Sequence, residues 1–458
     1  MIALVVSAVP ANAQLIQKTV PDNKAQIQYS YAPVVKRTVP AVVNIYTKRK
    51  VLEKGYAPLL NDPALRELFG QQLFAPYVKQ KIERSLGSGV IIRPNGLIIT
   101  SNHVIKDSQE VTVVLQDRRE FDAKVVLTDE KADLALLKID TKNETLSALE
   151  LINSDALEVG DIVLAIGNPF GVGQTVTNGI ISALSRTNVG ITDYQFFIQT
   201  DAPINPGNSG GALVTMDGKL AGVNTAIFSR SGGSHGIGFA IPANMVDYVI
   251  RSYEQGGQVR RPWLGAAFQP LTSDIANKLG LSSPAGALIS NIYPASSAEK
   301  AGLQKGDIIM ALDGLNIEDY QALNYRMATE KIGKTVLLDV VRGQEKIKSK
   351  MLLQEAKEEP AADKRSYQTG ALFSGITIAN LSPKLALEIE ADPFKKGVVV
   401  YNAPNKARYV LKKGDIIKEI NGIKIESVKQ FNALISQPAS SWKVVIERNG
   451  ETASLLIR

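Results

Sequence analysis

Cysteine is absent from this chain of 458 residues. That excludes a thiol nucleophile, a disulfide framework and cysteine-ligated zinc, and it leaves the compartment open. Histidine is almost as scarce. His103 and His235 are the only two, so any imidazole base must be one of this pair, and two separated histidines do not make a metal site. No phosphate-cradling glycine loop precedes a lysine, so no nucleotide site is legible. No segment has the roughly 20 apolar residues that a membrane-spanning helix needs, which limits membrane association to the periphery. The charge lacks a strong bias. The 52 basic and 45 acidic residues give +7, and the two signs interleave along the chain, which argues against nucleic acid as a partner.

What is present is enough for several cores. Hydrophobic residues make up 45% and charged residues 21%, and the length fits about three domains at roughly 150 residues each. The stretch Asn205-Pro206-Gly207-Asn208-Ser209-Gly210-Gly211 stands between two segments that read as strands, Tyr194 to Thr200 and Ala212 to Thr215. Three glycines let the backbone turn sharply and approach a substrate. The N–H groups of Gly207 and Ser209 can then converge on one point as an oxyanion hole, with Asn208 as a further contributor. A tight turn in which Ser209 only caps is the competing account.

A general base needs a fixed position within reach of its nucleophile. His103 ends the apolar strand Leu97-Ile98-Ile99-Thr100-Ser101-Asn102, whereas His235 follows the flexible Ser229-Arg230-Ser231-Gly232-Gly233-Ser234. His103 is therefore the candidate base, with a satisfied core histidine as the alternative. Asp133 opens the apolar run Leu134-Ala135-Leu136-Leu137-Lys138-Ile139. A carboxylate there is costly to bury unless paired, and an imidazole N–H is a suitable partner. Asp129, Asp122 and Asp107 remain competitors.

Short strands with glycine turns recur on both sides of these residues. Pro94-Asn95-Gly96 reads as a hairpin, and two sets of strands argue for two antiparallel barrels with a cleft between them. Residues 48 to 84 mix charged and apolar residues without strand alternation, which predicts a mobile insertion. Beyond a glycine linker near residues 252–260 lies an internal repeat. Leu303-Gln304-Lys305-Gly306-Asp307-Ile308-Ile309 is echoed 108 residues later by Leu411-Lys412-Lys413-Gly414-Asp415-Ile416-Ile417. The echoes lead to the turns Asp313-Gly314 and Asn421-Gly422. At the start, Met1 to Ala13 is an apolar run ending in small-x-small, which predicts an export signal cleaved after Ala13; the usual basic leader is missing, so the start reads as truncated or misassigned, or the signal as an unusual one.

Thr100-Ser101-Asn102-His103, Ala132-Asp133-Leu134-Ala135 and Gly207-Asn208-Ser209-Gly210-Gly211 occur in the order His, Asp, Ser, the order of chymotrypsin-type enzymes. With the C-terminal repeat, the set resembles the HtrA (Deg) family of PDZ serine proteases, in particular its periplasmic peptidase Do members. The resemblance implies a mostly β chain: a chymotrypsin-like double-barrel protease domain over 14–251, then PDZ domains over 261–355 and 366–458. It implies an ATP-independent endopeptidase needing no cofactor, with Ser209 as nucleophile, His103 as base and Asp133 as its orienting acid. Its partners would be unfolded or misfolded proteins and their C-terminal peptides, in periplasmic quality control under stress, with chaperone activity and a trimer-based homo-oligomer.

Further roles follow from the resemblance alone. Tyr29 and Tyr31 would help assemble trimers, and residues 48–84 would form a regulatory loop. Ile204, Ile227 and Phe228 would line a small apolar pocket favouring Val, Ala or Ile before the cut. Such a pocket discriminates by only about 1–3 kcal/mol per methylene, which suits broad degradation, and residues that fit it are normally buried in folded substrates. Arg186 would belong to a sensor loop coupled to PDZ occupancy. Trp263, Leu264, Gly265 and Ala266 would form the carboxylate-binding loop of the first PDZ domain. In the second domain, Pro404 to Tyr409 departs from Pro294 to Ala298 of the first, which implies a role in assembly.

Overall fold

The computed structural model describes residues 30–55, 77–168, 173–187, 194, 196–227, 235–367, 373–403, 411–437, 439 and 441–457. Residues 1–13, expected to be an export signal, lie outside the described residues, as do Tyr29, the stretch Asp62 to Gly70, Phe228 and the stretch Pro404 to Tyr409. Tyr31 precedes helix α1 (Ala32–Thr38) and accepts the Val35 N–H on its carbonyl. No helix among the described residues is long and apolar enough to cross a membrane.

Six strands make the first barrel: β1 (Val42–Gly55), β2 (Tyr77–Arg93), β3 (Leu97–Ser101), β4 (Glu110–Val114), β5 (Glu120–Asp129) and β6 (Leu134–Ile139). They close in the order β1-β2-β3-β6-β5-β4. β3 is buried at every position and β6 at all but Lys138, which is why both read as continuous apolar runs rather than alternations. The Pro94-Asn95-Gly96 turn joins β2 to β3, with Gly96 at φ +84° donating to the Arg93 carbonyl at 3.1 Å.

The charged stretch from residue 48 departs from expectation. β1 and β2 stay paired as far as Gly55 opposite Tyr77, so both arms of the insertion are strand. A hairpin ladder is held by main-chain hydrogen bonds, which a lysine-rich segment can make without an apolar face.

The second barrel holds β7 (Ile162–Gly167), β8 (Thr175–Arg186), β9 (Phe197–Thr200), β10 (Ala212–Thr215), β11 (Leu220–Ile227) and β12 (Gly238–Pro242), closed in the order β10-β11-β12-β9-β8-β7. Helix α2 (Asn102–Ile105) follows β3, and α3 (Ala243–Glu254) follows β12. Met245, Val246, Val249 and Ile250 lie on one face of α3 and join the core shared by the barrels.

Two further sheets follow. The first contains β13 (Ala266–Gln269), β14 (Ala287–Ile292), β15 (Ile308–Leu312), β16 (Leu315–Asn316), β17 (Thr335–Arg342) and β18 (Glu345–Leu352), with helix α4 (Tyr320–Ala328). Its order is β13-β14-β15-β17-β18, with β16 on β15. The second contains β19 (Arg365–Tyr367), β20 (Ile376–Asn380), β21 (Val398–Asn402), β22 (Ile416–Ile420), β23 (Ile423–Lys424), β24 (Trp442–Arg448) and β25 (Glu451–Ile457), with helices α5 (Pro383–Glu388) and α6 (Val428–Ile435). Its order is β19-β20-β21-β22-β24-β25, with β23 on β22.

From β20 onward the second sheet repeats the first, and the repeated sequence motif has the same job in both. Asp307 is 1% exposed and paired with Arg342 at 2.7 and 2.8 Å, and Asp415 is 1% exposed and paired with Arg448 at 2.6 and 2.7 Å. Each aspartate also caps its own turn, accepting the N–H of Gln304 or Lys412. A buried carboxylate is tolerable only when its lone pairs are met in this way.

Candidate active site

The three chemically distinctive residues come from three different connections. His103 sits in the first turn of α2, where β3 ends. Asp129 accepts the Ala132 N–H and caps a 3-10 turn over Glu130–Ala132, after which Asp133 adopts a left-handed conformation (φ +53°) before β6 begins. Ser209 lies in the loop between β9 and β10, shaped by Gly207 at φ +102° and Gly210 at φ +82°.

Asp133 is buried and well supplied with donors. Its Oδ1 accepts the His103 main-chain N–H at 2.9 Å, and its Oδ2 lies 2.7 Å from His103 Nδ1. Thr225 Oγ1 donates to the same Oδ2 at 2.8 Å. The Asp133 carbonyl accepts from Asn102 N–H at 3.0 Å, so chain and carboxylate together fix the histidine. This separates Asp133 from its competitors. Asp129 pairs with Arg261, while Asp107 and Asp122 are exposed. His235 is exposed in the loop before β12.

The Ser209 hydroxyl donates to the Thr225 carbonyl at 3.0 Å. No Ser209–His103 hydrogen bond is present among the described residues, and such bonds commonly tighten only with substrate. The N–H groups of Gly207 and Ser209 donate to no protein acceptor among the described residues. Asn208 differs from expectation: its N–H is committed to the Asn205 carbonyl at 3.0 Å, and its buried side chain packs beside Gly167. Its backbone therefore serves the turn, and the two free N–H groups flank it.

Two residues that sequence reasoning passed over organise this site. One is Thr225. The other is Ser88, fully buried on β2, with every polar group engaged at the junction of the barrels. Its N–H donates to the Ser209 carbonyl at 2.8 Å, and its hydroxyl donates to the Gly207 carbonyl at 2.7 Å and accepts the Asn168 N–H at 2.9 Å. Its carbonyl accepts the Thr100 hydroxyl at 2.7 Å. The flanking Gly87 and Gly89 were the available signal, since a Cβ on either would meet a neighbouring side chain within 3 Å.

Of the expected pocket residues, Ile204 is 1% exposed, and a Cβ on Gly238 would come within 2.7 Å of its Cδ1. Ile227 ends β11 with its side chain outside the described atoms. Arg186 ends β8 and donates from Nε to Gln199 Oε1 at 3.0 Å. From that segment it is the neighbouring Thr187 that reaches the next unit, donating to Asp319 Oδ2 at 2.6 Å. Trp263, Leu264 and Ala266 line a cavity of about 990 Å³ together with Phe268, Leu323 and Met327. The same cavity is bordered by Asp129–Lys131 of the first barrel and by Lys384, Leu387 and Phe394 of the last unit.

Arg261 forms a two-pronged pair with Asp129 across the boundary between barrel and module, and stacks over Tyr194 at 4.3 Å. Burial alone would depress its pKa. The Asp129 carboxylate more than offsets this, and the guanidinium is held above its ordinary range. Among the described residues no group of three or more acidic or histidine side chains is placed to hold a metal.

A family model for the trypsin-like peptidase domain matches residues 87–223, and one for the PDZ domain matches residues 262–353. A probable periplasmic serine protease, do/HhoA-like, of Haemophilus influenzae is 38% identical, covering 97% of this chain and 95% of the relative. The periplasmic serine endoprotease DegP of Salmonella typhimurium is 36% identical over 95% of this chain and 93% of its own length. The periplasmic pH-dependent serine endoprotease DegQ of Escherichia coli is 35% identical over 94% and 91%. Among solved structures, the HtrA-type protease AlgW with decapeptide is 43% identical, with a TM-score of 0.54 over 72% of this chain and 99% of that one. The chain belongs to the HtrA family, and is a serine endopeptidase of the periplasm built from a double β-barrel and a PDZ domain.

Proposed function

We propose that this endopeptidase degrades misfolded or unfolded proteins without ATP, using Ser209, His103 and Asp133. The observation that carries this reading is the Asp133 carboxylate, which holds His103 by main chain and ring at once, beside a serine loop with two unspent N–H groups. Asp133 keeps the proton on Nδ1, so Nε2 is the free base. His103 takes the Ser209 proton as Oγ attacks the scissile carbonyl, and returns it to the leaving amine. The N–H groups of Gly207 and Ser209 receive the oxyanion. Water, activated by the same imidazole, then releases the acyl group.

Ile204 against Gly238 supports a shallow apolar pocket and cleavage after Val, Ala or Ile. The Ser209 hydroxyl resting on Thr225 supports a regulated enzyme, whose nucleophile must rotate to meet its base. The cavity that joins Trp263, Leu264 and Ala266 to Asp129–Lys131 supports C-terminal peptides as the regulating ligands, received by strand addition. We read the unit from residue 366 as a second PDZ-type module on its repeated topology. A trimer-based homo-oligomer and a holding, chaperone-like activity complete the proposal by family likeness.

The test is turnover of unfolded, reduced casein by the unaltered chain and by Ser209→Ala, with and without C-terminal peptides. Loss of the nucleophile lowers turnover by about a million-fold. Equal cleavage by both proteins sinks the triad. Suppression of aggregation retained by Ser209→Ala supports the holding activity, and its loss removes it.

A further inference from the structure

The two C-terminal sheets differ at one edge. In the first, β13 pairs with β14 and, among the described residues, with no strand on its other side. That side faces α4, and Phe268 of β13 stacks on Tyr320 of α4 at 4.8 Å. In the second, β20 holds the same place, but its outer edge is taken. β19 pairs with it antiparallel, Arg365 opposite Ile378, Ser366 opposite Thr377 and Tyr367 opposite Ile376.

The seated strand has the features of a ligand. It runs antiparallel to β20 with its C-terminal end at the start of that strand, the direction in which strand addition delivers a peptide carboxylate to a backbone nest. At that end Gly375 N–H donates to the Tyr367 carbonyl at 2.5 Å. Gly375 and Gly265 occupy matching positions, and both are left-handed, at φ +84° and +76°. The Tyr367 ring packs against Phe431 of α6 with centroids 5.9 Å apart, and its hydroxyl donates to Asn432 Oδ1 on the same helix. Ser366 and Thr377 share a hydroxyl hydrogen bond at 2.8 Å.

We infer that residues Arg365–Tyr367 are a tethered ligand of the C-terminal module, filling in cis the groove that would otherwise take a C-terminal peptide. This rests on reading that unit as PDZ-type. Only eight residues separate Tyr367 from Ile376, and a short tether presents its ligand at an effective concentration on the order of millimolar. A free peptide of micromolar intrinsic affinity is thereby weakened about a thousand-fold. The first module is the open receptor, and the second opens only when β19 leaves.

The test uses the full chain with Ser209→Ala, and a fluorescent heptapeptide Ala-Ala-Asp-Lys-Arg-Ser-Tyr with a free carboxylate, copying residues 361–367. In one variant Tyr367→Gly strips the anchor. In another, Ser366→Cys with Thr377→Cys locks the strand through a disulfide. These are ladder partners at a spacing that suits the bond, in a chain with no other cysteine. Titration counts the sites, and amide exchange over 376–380 locates them.

Tyr367→Gly is expected to gain one saturable site that protects β20, at least tenfold tighter than anything the parent shows there. Should Tyr367→Gly not fold, the cysteine pair decides alone: the reduced form binds the probe at β20 at high concentration and oxidation abolishes it. Binding at β20 in the oxidised, locked form overturns the tethered ligand while leaving the module a peptide receptor. No binding at β20 in a folded Tyr367→Gly chain, with Trp442 still buried by its fluorescence, removes the PDZ-type reading and the proposal with it.

Discussion

The Ser209 hydroxyl donates a hydrogen bond to the main-chain carbonyl of Thr225 at 3.0 Å, while the side chain of that threonine donates to Asp133 at 2.8 Å. One residue of β11 thus touches both ends of the proposed triad. Thr225→Val keeps the shape and removes the donor to Asp133. A hydrogen bond to a buried charge is worth about 1.5–3 kcal/mol. The kcat should fall roughly 10- to 100-fold with little change in KM, and Thr225→Ser should restore it. Steady-state kinetics on a casein-derived peptide provides the check, and a change confined to KM would place Thr225 in substrate binding instead.

Gly210→Ala should cost far more than a methyl group ordinarily does. A Cβ there would lie 2.1 Å from the Ser88 carbonyl and 2.3 Å from Thr100 Oγ1, at a φ of +82° that alanine resists. Either the barrels separate or the Ser209 loop shifts. Activity should fall below about one-hundredth, with a lower melting temperature. A variant with unaltered Tm and turnover would show that the loop relaxes freely.

Ile204→Ala opens the proposed pocket where Gly238 leaves room for the isoleucine side chain. Cleavage sites in unfolded casein, read by mass spectrometry, should move from Val and Ala toward Leu and Met before the cut. Burying less side chain costs about 2–5 kcal/mol of stability. An unchanged cleavage pattern would put the pocket elsewhere.

Arg261→Met leaves Asp129 buried without its cation. Breaking a buried pair by removing one partner costs about 3–5 kcal/mol. Because Asp129 caps the turn that presents Asp133, activity should fall along with stability. Asp129→Asn combined with Arg261→Met, which leaves neither charge stranded, should recover part of the stability in a double-mutant cycle. Additive losses would mean that the two side chains act independently.

The pairing of His103 with Asp133, and Ser209 as the candidate beside them, could be proposed from sequence because imidazole is rare in this chain and because each residue punctuates an apolar run. The repeat was legible because a buried aspartate demands an arginine and a fixed turn, and so a fixed local sequence. Ser88 and Thr225 were not. They act through hydroxyls and main-chain atoms on residues 119 and 92 positions away, Gly207 and Asp133, and hydroxyl residues are too common to mark such a bond. The arms of β1 and β2 were missed because backbone pairing leaves no apolar alternation in a lysine-rich hairpin. β19 was missed for a related reason: Arg365-Ser366-Tyr367 has neither length nor period, and only its neighbours define it.

The groove helix α4 belongs to two cores. Its Leu323 and Met327 pack inside the first module, whereas Ala322, Tyr325 and Ala328 are part of the protease core. Tyr325 is stacked on Phe196 with centroids 4.0 Å apart, and Arg326 is paired with Asp155 at 2.7 Å. The protease and its first module therefore share one cooperative unit. Heat or denaturant should melt them in a single transition. A chain cut after α3 would bare the apolar wall around Phe196 and favour aggregation over an independent protease.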